Sequence, residues 1–254
     1  MEISDFYREI EHASIPWQDY TLHVPVFYPD FRFISAAFLI PLEKARGLMP
    51  SKRLKPYRVS PWHSTLSITA YQYRESDLGP YNEVGIGIPV TIDQETPLFT
   101  GSLHRMPDEA MAYIHHLPVT TEIARAVGVD FAGYPKFLAE IEFRDQGDWL
   151  TCDLKAENQA ILKLSGRKLP LCPSQRSHIH PLTSRRGYIL RSEFILSGCD
   201  QGSSKRGADV KLELGEHPIA REMKELNIGK AMMYSYCPKA QGILTPVLES
   251  YKEG

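Results

Sequence analysis

Four short segments of this chain alternate apolar and polar residues with period two: Leu66-Ile68-Ala70, Val84-Ile86-Ile88-Val90, Ala139-Ile141-Phe143 and Val210-Leu212-Leu214. Successive side chains of a β-strand point to opposite faces, so this period predicts strands and a chain built mainly on sheet. Between Phe137 and Gly166 three such runs are separated by Asp145-Gln146-Gly147-Asp148 and by Glu157-Asn158, which predicts an antiparallel meander with two tight turns. Helical signals are fewer. Pro41 to Leu48 and Pro218 to Leu226 each start at a proline, Asp108 to Leu117 begins with acids, and Thr121 to Val127 adds one more turn. The expected class is α+β, mainly β, with helices packed around a sheet.

The 254 residues contain no internal repeat, and their prolines and glycines are scattered as turn punctuation, so a single domain over 1–254 is expected. Lys and Arg total 29 against 31 Asp and Glu, and a net charge of −2 offers no global attraction for nucleic acid or an anionic membrane. The pairs Lys52-Arg53 and Arg185-Arg186 read as solvated surface. Cys152, Cys172, Cys199 and Cys237 are too widely spaced for a disulfide framework or a CxxC knuckle, and buried reduced thiols are expected. With no basic-then-apolar leader and no long apolar run, the expectation is a soluble cytoplasmic protein.

His178 and His180 would share a face if their segment were a strand, but Pro173-Ser174-Gln175-Arg176 and Pro181 give it a loop-like setting. They are expected to be solvated loop residues, as are His115-His116 at the end of the anticipated helix, and no metal is expected. No phosphate loop, G-x-S-x-G elbow or H-E-x-x-H motif occurs.

The chemistry concentrates in one segment, Phe131-Ala132-Gly133-Tyr134-Pro135-Lys136-Phe137-Leu138, a Gly- and Pro-set turn that delivers one lysine into a strand among aromatic and aliphatic neighbours. A lysine so placed either snorkels to solvent over its apolar stem or stays buried. Only a neutral amine can attack a carbonyl, and burial among apolar groups favours the neutral form.

The run Gly128-Val129-Asp130-Phe131-Ala132-Gly133-Tyr134-Pro135-Lys136 resembles the pattern G-R-E-x-x-G-[YF]-P-K-K that surrounds the Schiff-base lysine of acetoacetate decarboxylases. Upstream, Gly79-Pro80-Tyr81-Asn82-Glu83 followed by Ile88-Pro89-Val90 resembles that family's strand carrying a pocket-facing glutamate. The resemblance runs from about Phe31 to the C-terminus. It implies a sheet curved into a cone or barrel, a homo-oligomer, and a lyase that decarboxylates a small keto acid without a cofactor. Lys136 would be the nucleophile and electron sink, and Glu83 the acid that shuttles protons. Tyr81, Ser67, Arg32 and Phe137 would contact substrate: Tyr81 lies in the glutamate motif, and Ser67 stands with Thr69 where the family carries another carboxylate. Arg32 is next to Phe31, which occupies the position of an orienting arginine, and Phe137 replaces the second lysine. Val129-Asp130 replaces the usual Arg-Glu pair, so the chain reads as a divergent branch. Two further outcomes fit the same residues: an aldolase-dehydratase acting on pyruvate-like substrates, and a small-molecule binding protein without turnover.

Overall fold

The computed structural model describes residues 5–8, 10–17, 20–96 and 109–253. A hairpin of β1 (Ala13–Trp17) and β2 (Tyr20–Val24) leads into the long β3 (Val26–Pro41), short α1 (Leu42–Gly47) and β4 (Leu54–Pro56). Next come β5 (His63–Glu75), β6 (Tyr81–Ile92), β7 (Glu109–His116) and α2 (Glu122–Ala132). The meander β8 (Glu140–Gln146), β9 (Trp149–Ala156) and β10 (Gln159–Arg167) is followed by β11 (Cys172–Pro173), β12 (Ser177–Arg185), β13 (Tyr188–Arg191), β14 (Phe194–Leu196) and β15 (Asp200–Ser204). The chain ends with β16 (Val210–Leu214), α3 (Pro218–Glu225), β17 (Ala231–Leu244) and β18 (Glu249–Lys252).

Seven strands close into a barrel in the order β17, β3, β5, β6, β7, β12, β14 and back to β17. All of these pairings are antiparallel except β7 with β12. A separate antiparallel sheet, β16-β10-β9-β8, covers one side. The fold is thus α+β and mainly β, as the alternation predicts. The expected meander is there, and its second turn carries Glu157 and Asn158 at φ 51° and 60°, the doubly left-handed geometry that matches strand twist in a two-residue hairpin.

The apolar sets read from the sequence face outward from the barrel. Leu66, Ile68 and Ala70 of β5 and Val84, Ile86 and Ile88 of β6 are buried against Leu150 and Leu154 of β9 and Leu162 and Leu164 of β10. The main core therefore lies between barrel and covering sheet, and the opposite parity of β5 and β6 lines the barrel interior.

Two expectations are corrected here. Residues 109–116 form a strand where a helix was expected over Asp108 to Leu117; Asp108 itself lies outside the described residues. Glu, Ala and Met favour a helix locally, but pairing with β6 and β12 on either side prevails. His178 and His180 lie within β12, not in a loop: His178 Nδ1 contacts Glu193 Oε1 at 2.6 Å, and His180 is buried with neither ring nitrogen partnered. The helices at Pro41 and Pro218 occur as expected, whereas α2 runs past Val127 to Ala132. The cysteines are free, with Cys152 and Cys237 buried but Cys172 exposed. Among the described residues no helix is long and apolar enough to cross a membrane.

Candidate active site

Lys136 is positioned by the way α2 stops. Gly133 adopts φ 64°, a conformation that suits glycine, and its N–H bonds back to the Val129 carbonyl at 3.2 Å, the left-handed cap, while the Tyr134 N–H reaches the Gly128 carbonyl at 3.1 Å. The freed carbonyls at the helix end are met from β12: Arg185 Nη1 donates to Val129 and Asp130 O, both at 2.7 Å, and Thr183 Oγ1 donates to Ala132 O at 2.7 Å. Arg185 is therefore a helix cap, not the idle surface charge its Arg-Arg pair suggests, and as a cation it also suits the negative end of the helix dipole.

Beyond the turn the chain runs extended rather than entering a regular strand, and residues 117–120 hold it. The Leu117 and Val119 N–H groups donate to Pro135 O and Phe137 O, while Val84 N donates to Pro118 O and Thr120 N to Asn82 O. Val119 thus bridges both Glu83 and Leu138, and this shared segment brings the start of β6 and the lysine loop together.

Lys136 Nζ lies 2.8 Å from Glu83 Oε2, with side chains only 5% and 9% exposed. Removing both charges from water is costly, and each lowers that cost for the other. The rings of Tyr81 and Tyr134 flank the amine, each centroid 5.7 Å from Nζ, a separation at which an aromatic face attracts a cation. Tyr73 Oη donates to Glu83 Oε1 at 3.4 Å, the hydroxyls of Tyr28 and Tyr81 lie 3.3 Å apart, and Tyr134 Oη meets Ser192 Oγ at 2.7 Å. Burial, with the Glu83 charge adding to it, pushes the Tyr28, Tyr73, Tyr81 and Tyr134 phenols well above their ordinary value, so all four are neutral hydroxyls at any physiological pH.

The pair opens into the barrel interior, a cavity of about 270 Å³. The inward parity of β6, Glu83-Gly85-Gly87-Pro89, supplies one wall and that of β5, Ser67-Thr69-Tyr71-Tyr73, another. Gly87 has to be glycine for the strands to pack, because a Cβ there would stand 2.7 Å from the Tyr113 carbonyl oxygen. Ser35 and Thr69 place hydroxyls 2.7 Å apart on the wall. Among the described residues lining this cavity, Lys136 is the only cation and Glu83 the only acid.

Of the residues expected to contact substrate, Ser67 lines the cavity, and Tyr81 flanks Lys136 while bonding Tyr28. Arg32 and Phe137 stand elsewhere. Arg32 sits on the outward parity of β3, where Nε donates to Gln72 Oε1 and Nη1 to Asp145 Oδ2 of the covering sheet. Phe137 follows the inward Lys136 and so turns out, packing on the main core. Tyr28, Tyr73, Gly85 and Gly87 went unread as site residues, although glycines two apart inside a strand-like run are a signal of a hollowed face.

The family model for acetoacetate decarboxylase matches residues 14–244. No curated protein sequence matches the chain. Among solved structures, an acetoacetate decarboxylase from Legionella pneumophila superposes with a TM-score of 0.66 at 16% identity, covering 89% of this chain and 88% of its own. The enduracididine biosynthesis enzyme MppR, complexed with the condensation product of pyruvate and imidazole 4-carboxaldehyde, gives 0.58 at 10% identity over 91% of this chain and 89% of its own. An acetoacetate decarboxylase-like enzyme from Sphingomonas wittichii gives 0.52 at 12% identity over 92% and 95%. These likenesses concern the fold, which they share over nearly the full length; with the sequence match over residues 14–244, the chain belongs to the acetoacetate decarboxylase family.

Proposed function

We propose that this protein is a lysine Schiff-base enzyme that decarboxylates a small β-keto acid, with Lys136 as nucleophile and Glu83 as its proton partner. The observation that carries the reading is the buried Lys136–Glu83 pair at 2.8 Å, opening into a cavity whose other described lining residues are uncharged. Transfer of one proton from the ammonium to the carboxylate turns the ion pair into a neutral amine and a carboxylic acid, and low dielectric favours that exchange. The amine adds to the keto carbon, and water leaves to give an iminium flanked by Tyr81 and Tyr134, whose rings favour the positive charge. The bond to the carboxylate then breaks, its electron pair enters the iminium, and carbon dioxide departs. Glu83, which gives its first proton to the departing water and takes another from solvent, protonates the enamine carbon, and water then releases the ketone and leaves Lys136 as the ammonium. Because no guanidinium or imidazole is found among the described residues lining the cavity, the iminium is the counter-charge they offer the substrate carboxylate, and its loss as neutral carbon dioxide relieves a poorly solvated anion.

A second chamber of about 170 Å³ shares Lys136, Tyr28, Tyr134 and Leu244 with the first and is lined mainly by apolar residues, among them Leu22, Val26 and Phe131. It favours a second reading in which the enamine attacks an aldehyde held there instead of taking a proton. MppR, with its pyruvate condensation product, is a structural neighbour in keeping with that outcome.

The test is reductive trapping. Protein incubated with acetoacetate, and separately with pyruvate, is treated with borohydride, and the adduct is located by peptide mass spectrometry. A substrate-sized increment on Lys136, absent in Lys136→Ala, is the expected result. Carbon dioxide release from acetoacetate supports decarboxylation; an adduct with pyruvate plus consumption of added aldehyde, without carbon dioxide, supports the second reading. A folded protein giving no adduct with either acid would leave the binding-protein alternative standing.

A further inference from the structure

We propose that His115, His116 and Glu222 form a divalent transition-metal site, zinc being the ion their chemistry suits best, on the outside of the barrel wall. Neighbouring residues of a regular strand point to opposite faces, so two consecutive histidines would ordinarily part. Here the pairing of β7 with β6 slips: His116 lies opposite Ile86 and Ile114 opposite Gly87, so His115 is an extra residue at a bulge. The bulge turns both imidazoles to one side, with ring centroids 4.2 Å apart. Glu222 of α3 comes down on them with one carboxylate oxygen each: Oε1 is 2.5 Å from His115 Nε2 and Oε2 is 3.0 Å from His116 Nε2. One ligand atom from each residue falls within 4.8 Å of the other two.

That convergence matches what zinc requires. Metal–ligand bonds of about 2.0–2.1 Å in a tetrahedron separate ligand atoms by roughly 3.3 Å, so binding needs the carboxylate to withdraw from His115 by less than about 1 Å and the wider separations, at most 4.8 Å, to close by no more than about 1.5 Å. Two imidazoles and one carboxylate are donors that zinc accepts readily, and they leave a fourth position for water. The histidines are 19% and the glutamate 36% exposed at the side chain, so an ion can enter without opening the core. The site is separate from the Lys136 cavity, whose wall β7 forms with Ala112 and Ile114. An ion there would clamp α3 to that wall.

The competing account is a simple tether in which a histidinium–carboxylate contact holds α3, and metal titration separates the two. Protein stripped with a chelator is titrated with zinc by calorimetry and with cobalt(II) by visible absorption, the latter because tetrahedral cobalt has an intense band that the hydrated ion lacks. The expected result is one ion per chain and a tetrahedral cobalt spectrum, with affinity weakened more than about 100-fold in His116→Ala and in Glu222→Gln, beyond the 10–100-fold that loss of an outer partner costs. Circular dichroism confirms that each variant is folded. Should a variant fail to fold, protection of His115 and His116 of the wild type from diethyl pyrocarbonate by zinc, mapped by mass spectrometry, decides the matter. No stoichiometric uptake, affinity unchanged in folded variants, or no protection of these two histidines would overturn the assignment.

Discussion

Gly128 shows how closely the lysine is fitted to its surroundings. It lies inside α2, where glycine costs about 1 kcal/mol relative to alanine, so substitution by alanine ought to stabilise the helix. A Cβ at this position, however, would stand 2.6 Å from both Cδ and Cε of Lys136. The stem is flexible and gives way before the helix does, moving Nζ away from Glu83. A displacement on the order of 1 Å can cost about 100-fold in rate. Gly128→Ala is therefore expected to melt no lower than the wild type while its borohydride trapping slows at least about tenfold, a split that calorimetry and timed mass spectrometry would reveal. An unchanged trapping rate would mean that the stem has a second route to the cavity. Lys136 and Glu83 could be singled out from the sequence because each sits in a distinctive local motif. Their contact could not, since it depends on Val119 bridging two segments far apart in the chain.

At the scale of elements, the C-terminal end of α2 does the positioning. Gly133, Arg185 and Thr183 together donate to the carbonyls of Val129, Asp130 and Ala132, and a Cβ on Gly133 would stand 3.0 Å from the Arg185 stem. Arg185→Ala removes two charge-assisted hydrogen bonds, and a loss of about 1–3 kcal/mol is expected in denaturant unfolding, with the trapping rate at Lys136 reduced as the loop loosens. A rate reduced as much at saturating substrate as below it would place the effect on the lysine; unaltered stability would show that water replaces the guanidinium. Such elements were only partly readable. Period two identifies β5 and β6, but it does not say which side the apolar face meets, and that side proved to be the covering sheet. The interior residues, Ser67 to Tyr73 and Glu83 to Pro89 at alternate positions, are polar, aromatic, glycine or proline and look like a solvent face. β7 was lost to its helix-favouring composition because its neighbours in the sheet come from distant sequence. Arg32 turned on parity alone: inward and outward differ by one residue, and the pairing of β3 with β5, unbroken from Phe31 to Pro41, sets Arg32 opposite Gln72 on the outer face.

On the scale of the whole molecule, the barrel keeps its main apolar core outside and a tyrosine-rich chamber inside, and this arrangement fixes how stability responds to alkali. Tyr28, Tyr71, Tyr73 and Tyr81 are held neutral by burial and by Glu83, with ring centroids of successive neighbours 4.5–5.5 Å apart. In the unfolded chain the same phenols ionise near pH 10. Folded values raised above unfolded ones mean that below about pH 10 both states keep these protons and stability is unaffected by them. Above it the unfolded state releases protons that the folded state retains, and stability falls as pH rises further. Part of the chain's 13 tyrosines should therefore titrate reversibly near pH 10, while the chamber set ionises only in the step that abolishes the near-ultraviolet dichroism. Absorbance and dichroism followed together through an alkaline titration measure both. All thirteen ionising near pH 10 with the dichroism intact would mean that water reaches the chamber freely, and the low-dielectric setting invoked for the Lys136–Glu83 proton exchange would lose its basis.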